Sequence, residues 1–236
     1  MRLDARSTRP PRTTTPSTPA TTALHLHYLH ALAKLAPHHA HELRGRLGGV
    51  ALHLDLASEL LAAPGADTGR VRDEIGRARA GLGAISGAFE SMLGLGRADG
   101  AAVLGCDVRD LVRDLEIALR GMARERRVSW RIALPERPVT TGTDRETLRQ
   151  ALLVTAVAVL ERVPDGGQIA VSLEHAVGEA AIAIAGASAA GAPVSTRELL
   201  ETLELVGAAC ASSACQALAD DGARIRLMLS AEPSAE

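Results

Sequence analysis

From Thr22 onward the chain places Leu29, Leu32, Ala36, His39, Leu43, Leu47, Val50, Leu54, Ala57 and Leu61 at alternating steps of three and four. Side chains spaced in this way form one stripe along an α-helix, so a single long helix is predicted. The stretch "APGADTG" at 63–69 interrupts it, with Pro and Gly as breakers and Asp67 or Thr68 able to cap a following helix. Val71, Ile75, Ala78, Leu82, Ile85, Phe89 and Met92 then repeat the same stepping until the glycines at 94, 96 and 100. Two long helices joined by a short loop make an antiparallel hairpin. Each covers only one side of the other, so an enclosed core requires a second hairpin, and a homodimeric four-helix bundle is expected.

Beyond the glycines the texture is that of an α/β unit. "DVRDLVRDLEIALRGMARERR" predicts a helix with Val108, Leu111, Leu115, Leu119 and Met122 inward. "VSWRI" alternates as a strand, with Val128, Trp130 and Ile132 facing the core. "TDRETLRQALLVTAVAVLERV" is a mostly apolar helix and "PDGG" a turn; "QIAVSLE" and "AAIAIAG" are alternating strands that form a hairpin. A Gly/Ala/Ser-rich stretch, a helix near 196–217 and the strand "ARIRLMLS" complete the unit. The fold class is therefore α+β: a hairpin over 22–97, then one layer of helices on a mixed sheet over 103–230. The Thr/Pro/Arg-rich residues 1–21 hold too little apolar surface to offset the entropy of ordering, and with the short end 231–236 they are read as tails.

Composition removes several function classes. Aromatics are 1% of residues, a single Tyr, Phe and Trp, which leaves no stacking surface for bases. The formal charge of −2 gives no attraction to nucleic acid or an anionic membrane. An apolar run of membrane-spanning length is missing, as is a secretory apolar region, and the three cysteines at 106, 210 and 215 suit reduced thiols. A cytoplasmic location is expected, without nucleic acid or membrane partners.

One stretch carries candidate chemistry: "LAPHHAHELRGRLGGVALHLDL" at 35–56. "HELR" at 41–44, within the first helix of a hairpin that an α/β unit follows, resembles the phosphoacceptor box of the sensor histidine kinases. "RRVSWRIALPERPVTTGTDRETLRQALL" followed by "PDGGQIAVSLE" resembles the first half of their ATP-binding domain in order and spacing. The resemblance covers about residues 24 to 230. It implies that the hairpin dimerises, that His41 accepts phosphate, and that Glu42 is the acid of the box.

The departures from that family are equally informative. Where its asparagines hold Mg²⁺ against the nucleotide phosphates, this chain has Val154 and Ala158, which offer a hard cation no oxygen. "GASAAGAP" stands where the family has an adenine-reading Asp and glycines, with Gly186 near the acid's place. "TLELVGAAC" replaces the glycine-rich lid. The family's proline after the histidine is replaced by Arg46, and Pro37 precedes the histidine instead. Resemblance with this triple loss implies a domain that kept the fold and lost ATP.

Imidazole attacks phosphorus through one neutral nitrogen while a hydrogen bond to the other sets the tautomer. Glu42 could orient that ring or exchange its proton during transfer, and Arg44 and Arg46 could offset the charge of a transferring phosphoryl group. His39 falls on the apolar stripe, whereas His41 lies about 200° around the helix and is predicted to be exposed. Gly45, Gly48 and Gly49 would leave room for another protein's active site, or would mark only close helix packing. The pairs His38/His41, His27/His30 and His38/Glu42 share helix faces, but two ligands do not make a zinc site.

The leading reading is a histidine phosphotransferase that moves phosphoryl groups between His41 and the aspartates of response-regulator receivers. No cofactor of its own is expected, and Mg²⁺ would come with the receiver. A sensor histidine kinase is a further candidate partner. The alternatives are a non-catalytic pseudokinase that binds receivers or a kinase, and an active kinase with a divergent pocket.

Overall fold

The computed structural model describes residues 19–96, 106–176, 179–195, 199–210, 215–220 and 224–230. Helices α1 (Pro19–Ala62) and α2 (Thr68–Gly96) come first. Then follow β1 (Cys106–Asp107), α3 (Val108–Glu125), β2 (Ser129–Ala133), β3 (Thr140–Thr141) and α4 (Arg145–Arg162). The chain continues through β4 (Gln168–Ala176), β5 (Glu179–Ala187), α5 (Leu200–Cys210), β6 (Cys215–Asp220) and β7 (Arg224–Ser230).

The helix α1 starts inside the stretch expected to be tail, on Pro19, a residue whose fixed φ and missing N–H suit a first helical turn. It runs on for 44 residues, straight through Pro37. Asp67 caps α2, its Oδ1 accepting from the Gly69 and Arg70 N–H groups at 2.9 and 3.2 Å. Val50, Ala57, Val71 and Ala78 are buried between the two helices. At Gly81 the helices come close enough that a Cβ would stand 2.7 Å from Val50 Cγ2. Glu74 is buried in the same interface, where it accepts from His53 Nδ1 at 2.7 Å and pairs with Arg77. Leu47, Leu54, Leu61, Ile75, Leu82 and Phe89, all on the predicted stripes, remain exposed on the protomer.

The second unit is built on a five-stranded mixed sheet in the order β2-β4-β5-β7-β6, with β2 and β4 parallel and the other neighbours antiparallel. Asp107 and Asp144 cap α3 and α4, accepting from the Arg109 and Thr147 N–H groups. The whole predicted stripe of α3 is buried. One apolar core joins α3, α4 and α5 to Ile169, Val171, Ile182, Ile184, Ile225 and Leu227 of the sheet. We call this unit the lobe.

Two expectations are corrected. The inward stripe of the first turns of α1 is Leu24, Tyr28, Ala31 and Leu35; Leu32 packs at its margin, and Leu29 and Ala36 are exposed. The four residues of the stripe belong to the core of the lobe and lie against α3, α4 and α5 as a third layer. Lys34 pairs with Glu161 at 2.5 Å, Gln150 donates to His25 Nδ1 at 3.2 Å, and the Arg149 guanidinium lies 5.8 Å from the Tyr28 ring centre. This layer explains why α4 has almost no polar face: the sheet covers one side of it and α1 the other.

The helix expected near 196–217 ends at Cys210, and Cys215–Asp220 is a strand paired with β7 from Cys215↔Leu229 to Asp220↔Arg224. The alanines and leucine of "CQALAD" favour a helix locally. An open edge on β7 supplies a ladder of backbone hydrogen bonds that overrides so weak a preference.

Candidate functional site

His41 sits where α1 leaves the lobe and joins the hairpin. Its ring is exposed, while His39, two residues earlier, is half-buried. Loss of water around His39 lowers its pKa from the usual 6.5, against the opposing pull of Glu42 and a backbone hydrogen bond at Ala118. The two histidines thus divide as their positions on the helix predict, one turned inward and the other turned out.

His41 and Glu42 border an open cleft of about 700 Å³ between α1 and α3. Arg46 and Gly45 continue the α1 wall, and Gly121, Arg124 and Glu125 form the wall opposite. Gly121 makes the crossing tight, since a Cβ there would lie 3.3 Å from His38 Cβ. One turn further along α3, Glu125 Oε2 accepts from His38 Nδ1 at 2.5 Å, which clamps the end of the cleft. His38, a metal candidate in the sequence, is here a latch.

Arg46 donates to Glu42 Oε1 through Nη2 at 2.7 Å and through Nε at 3.3 Å. Partial burial pushes the Glu42 carboxyl up. The hydrogen bond and charge of Arg46, together with the charges of Arg124 and His39, outweigh that and hold it below the usual carboxylate range. Glu42 is therefore a fixed negative charge beside His41, better suited to orienting an imidazole N–H than to delivering a proton. Arg44 is exposed and lies outside the cleft lining. Gly45, Gly48 and Gly49 have nothing within 4 Å of where a Cβ would stand, so packing within the protomer does not account for them. They leave the surface beside His41 as bare backbone.

Of the residues singled out in the sequence, His41, Glu42 and Arg46 are brought together. Sequence reasoning missed Gly121, Arg124 and Glu125; the one signal was a glycine inside a strongly patterned helix, "LRGMARER". Among the described residues no three His, Cys, Asp or Glu side chains converge as metal ligands.

The positions aligned with a nucleotide site lie elsewhere. Val154 is buried and Ala158 half-buried, facing α1 across a pocket of about 130 Å³ that His27, His30 and Lys34 also line. At Gly186 a Cβ would stand 2.7 Å from Val163 Cγ2, so a carboxylate side chain has no room there. Residues 202–210, at the place of a glycine-rich lid, are helical.

No family model matches the chain, and no curated protein matches it. Among solved structures it is similar to the catalytic domain of the histidine kinase ThkA, with 14% identity and a TM-score of 0.45 over 55% of this chain and 97% of that one. It is also similar to the Acinetobacter baumannii histidine kinase AdeS, with 15% identity and a TM-score of 0.44 over 83% of this chain and 98% of that one. A third is ThkA solved in complex with the response regulator protein TrrA, with 14% identity and a TM-score of 0.43 over 86% of this chain and 62% of that one. Likeness of this size says nothing about activity.

Among the described residues, no helix is long and apolar enough to cross a membrane.

Proposed function

We propose that the protein is a histidine phosphotransferase of a two-component relay, with His41 as the residue that carries the phosphoryl group. The observation that carries this reading is the exposed His41 ring at the mouth of an open cleft, beside glycines that leave the neighbouring surface uncovered. A receiver domain presenting a phosphorylated aspartate can approach such a surface. One imidazole nitrogen attacks phosphorus, the N–P bond forms as the aspartyl P–O bond breaks, and the aspartate leaves as a carboxylate. The charge of Glu42 favours the imidazolium N–H while the bond forms, and that proton then passes to water, leaving a neutral N-phosphoimidazole. The reverse sequence delivers the group to a second receiver, and Mg²⁺ bound by the receiver offsets the charge on the transferring oxygens.

Transfer without ATP is supported by Val154 and Ala158 lying under the first turns of α1, and by the packing that fills the space at Gly186. A homodimer belongs to the same reading, because the exposed stripe of Leu47, Leu54, Ile75, Leu82 and Phe89 is what a second hairpin would cover.

The test is to mix the protein with phosphorylated receivers and follow label that is stable to alkali and labile to acid. Label is expected on residue 41 and should be absent from His41→Ala. Label that persists unchanged in His41→Ala would remove the proposal.

A further inference from the structure

The walls of the α1–α3 cleft hold two acids, and both are engaged: Glu42 by Arg46 at 2.7 Å and Glu125 by His38 at 2.5 Å. The cleft also holds two groups for which the described contacts give no ion pair, His41 on α1 and Arg124 on α3. Arg124 is exposed, and its charge already reaches across the cleft to the Glu42 carboxyl. Its place is set by Gly121, three residues earlier, which brings α3 against His38, and by the His38–Glu125 latch on the adjacent residue. Arg44, the other exposed arginine near His41 in sequence, lies outside the lining.

We propose that this cleft is the seat of the phosphoryl group, and that Arg124, supplied by the lobe, is the guanidinium that pairs with its oxygens. The assignment rests on the reading that His41 carries phosphate. A phosphoryl group on an imidazole nitrogen brings about two negative charges and three acceptor oxygens. The two carboxylates lining the cleft would repel it if they were unpaired. With Glu42 and Glu125 each tied to a cationic or donor partner, Arg124 is the positive charge left to meet it. A planar guanidinium also offers two parallel N–H donors to a phosphoryl edge, which an ammonium does not. The site is composite, with the acceptor nitrogen on the long helix and its counter-charge on the lobe.

Phosphoramidate is a suitable probe because it needs no partner protein. Its N–P bond breaks, ammonia departs with the proton that the imidazole releases, and an imidazole N–P bond forms. The full-length chain is incubated with phosphoramidate, and phosphate on residue 41 is followed over time by mass spectrometry of alkaline digests. Arg124→Ala is expected to slow labelling by about tenfold or more. Arg124→Lys should fall between that variant and the unaltered chain. Arg113→Ala, which removes an exposed arginine three turns earlier on the same helix and outside the cleft lining, should match the unaltered chain. Circular dichroism confirms that each variant is folded, as expected for exposed positions.

Labelling of His41 at equal rates with and without Arg124 would overturn the role of Arg124 and leave phosphotransfer standing. No phosphate on residue 41 of the unaltered chain, from either phosphoramidate or a phosphorylated receiver, would overturn both.

Discussion

Ionising Tyr28 should pull the long helix off the lobe. Its ring lies beneath the first turns of α1 with 2% of its surface exposed. Burial pushes the hydroxyl from 10.0 up to about 12, with Arg149 pulling back and Glu146 adding to the rise. The folded protein thus keeps this proton where the unfolded chain has already lost it. The associated stability is whole below pH 10.0 and is lost as the pH climbs to about 12. Each pH unit in that window removes about 1.4 kcal/mol, or roughly 2–3 kcal/mol in all. That is a large share of the ~5–15 kcal/mol typical of a folded domain.

The assay is clean because the chain has a single tyrosine. Tyrosinate absorbance in the native protein should rise only well above the value seen in denaturant. Urea unfolding across the same window should show a steep loss of stability that Tyr28→Phe abolishes. A native transition at the denaturant value would refute the docking of α1 on the lobe. It would also remove the cover from Val154 and Ala158 that supports ATP-free function.

Two further expectations concern the hairpin. Replacing Gly48 and Gly49 by Ala should stabilise the protein by about 0.5–1 kcal/mol each, because a Cβ meets nothing there and Ala is the better helix former. Urea titration measures this, and destabilisation would mean that the surface is already covered. Leu54→Glu with Leu82→Glu should leave the circular dichroism of the protomer intact, since both side chains are about half exposed, at 46% and 48%, and should abolish association in sedimentation. If the unaltered chain sediments as a monomer at all concentrations, the dimer falls.

Much of the fold could be read from periodicity. The α3 stripe is buried as spaced, and the loop at 63–69 caps α2 through Asp67. What periodicity could not settle was which of two leucine-rich faces of α1 turns inward at each level. Leu24, Tyr28, Ala31 and Leu35 face the lobe, but Leu26 and Leu29 are apolar as well and remain exposed. One helix serves two partners, so no single stripe describes it. At β6, pairing with β7 decided against local propensity, and a short apolar run holds no trace of that.

The site was half legible. "HELR" and the angle between His39 and His41 mark the α1 wall, because both are local to one helix. Arg124 and Glu125 stand over eighty residues away in sequence and reach His41 only through the α1–α3 crossing that Gly121 permits, which is a tertiary fact.

The unbroken passage of α1 from lobe to hairpin has a kinetic consequence. His41 rides on a single rod pinned on both sides, by Leu24–Leu35 contacts below and by α2 above. It cannot pivot from a donor to an acceptor, so under the proposed reaction both must visit the same face of the same ring, one after the other. Turnover should then follow ping-pong kinetics, with each receiver competing against the other for an occupied berth.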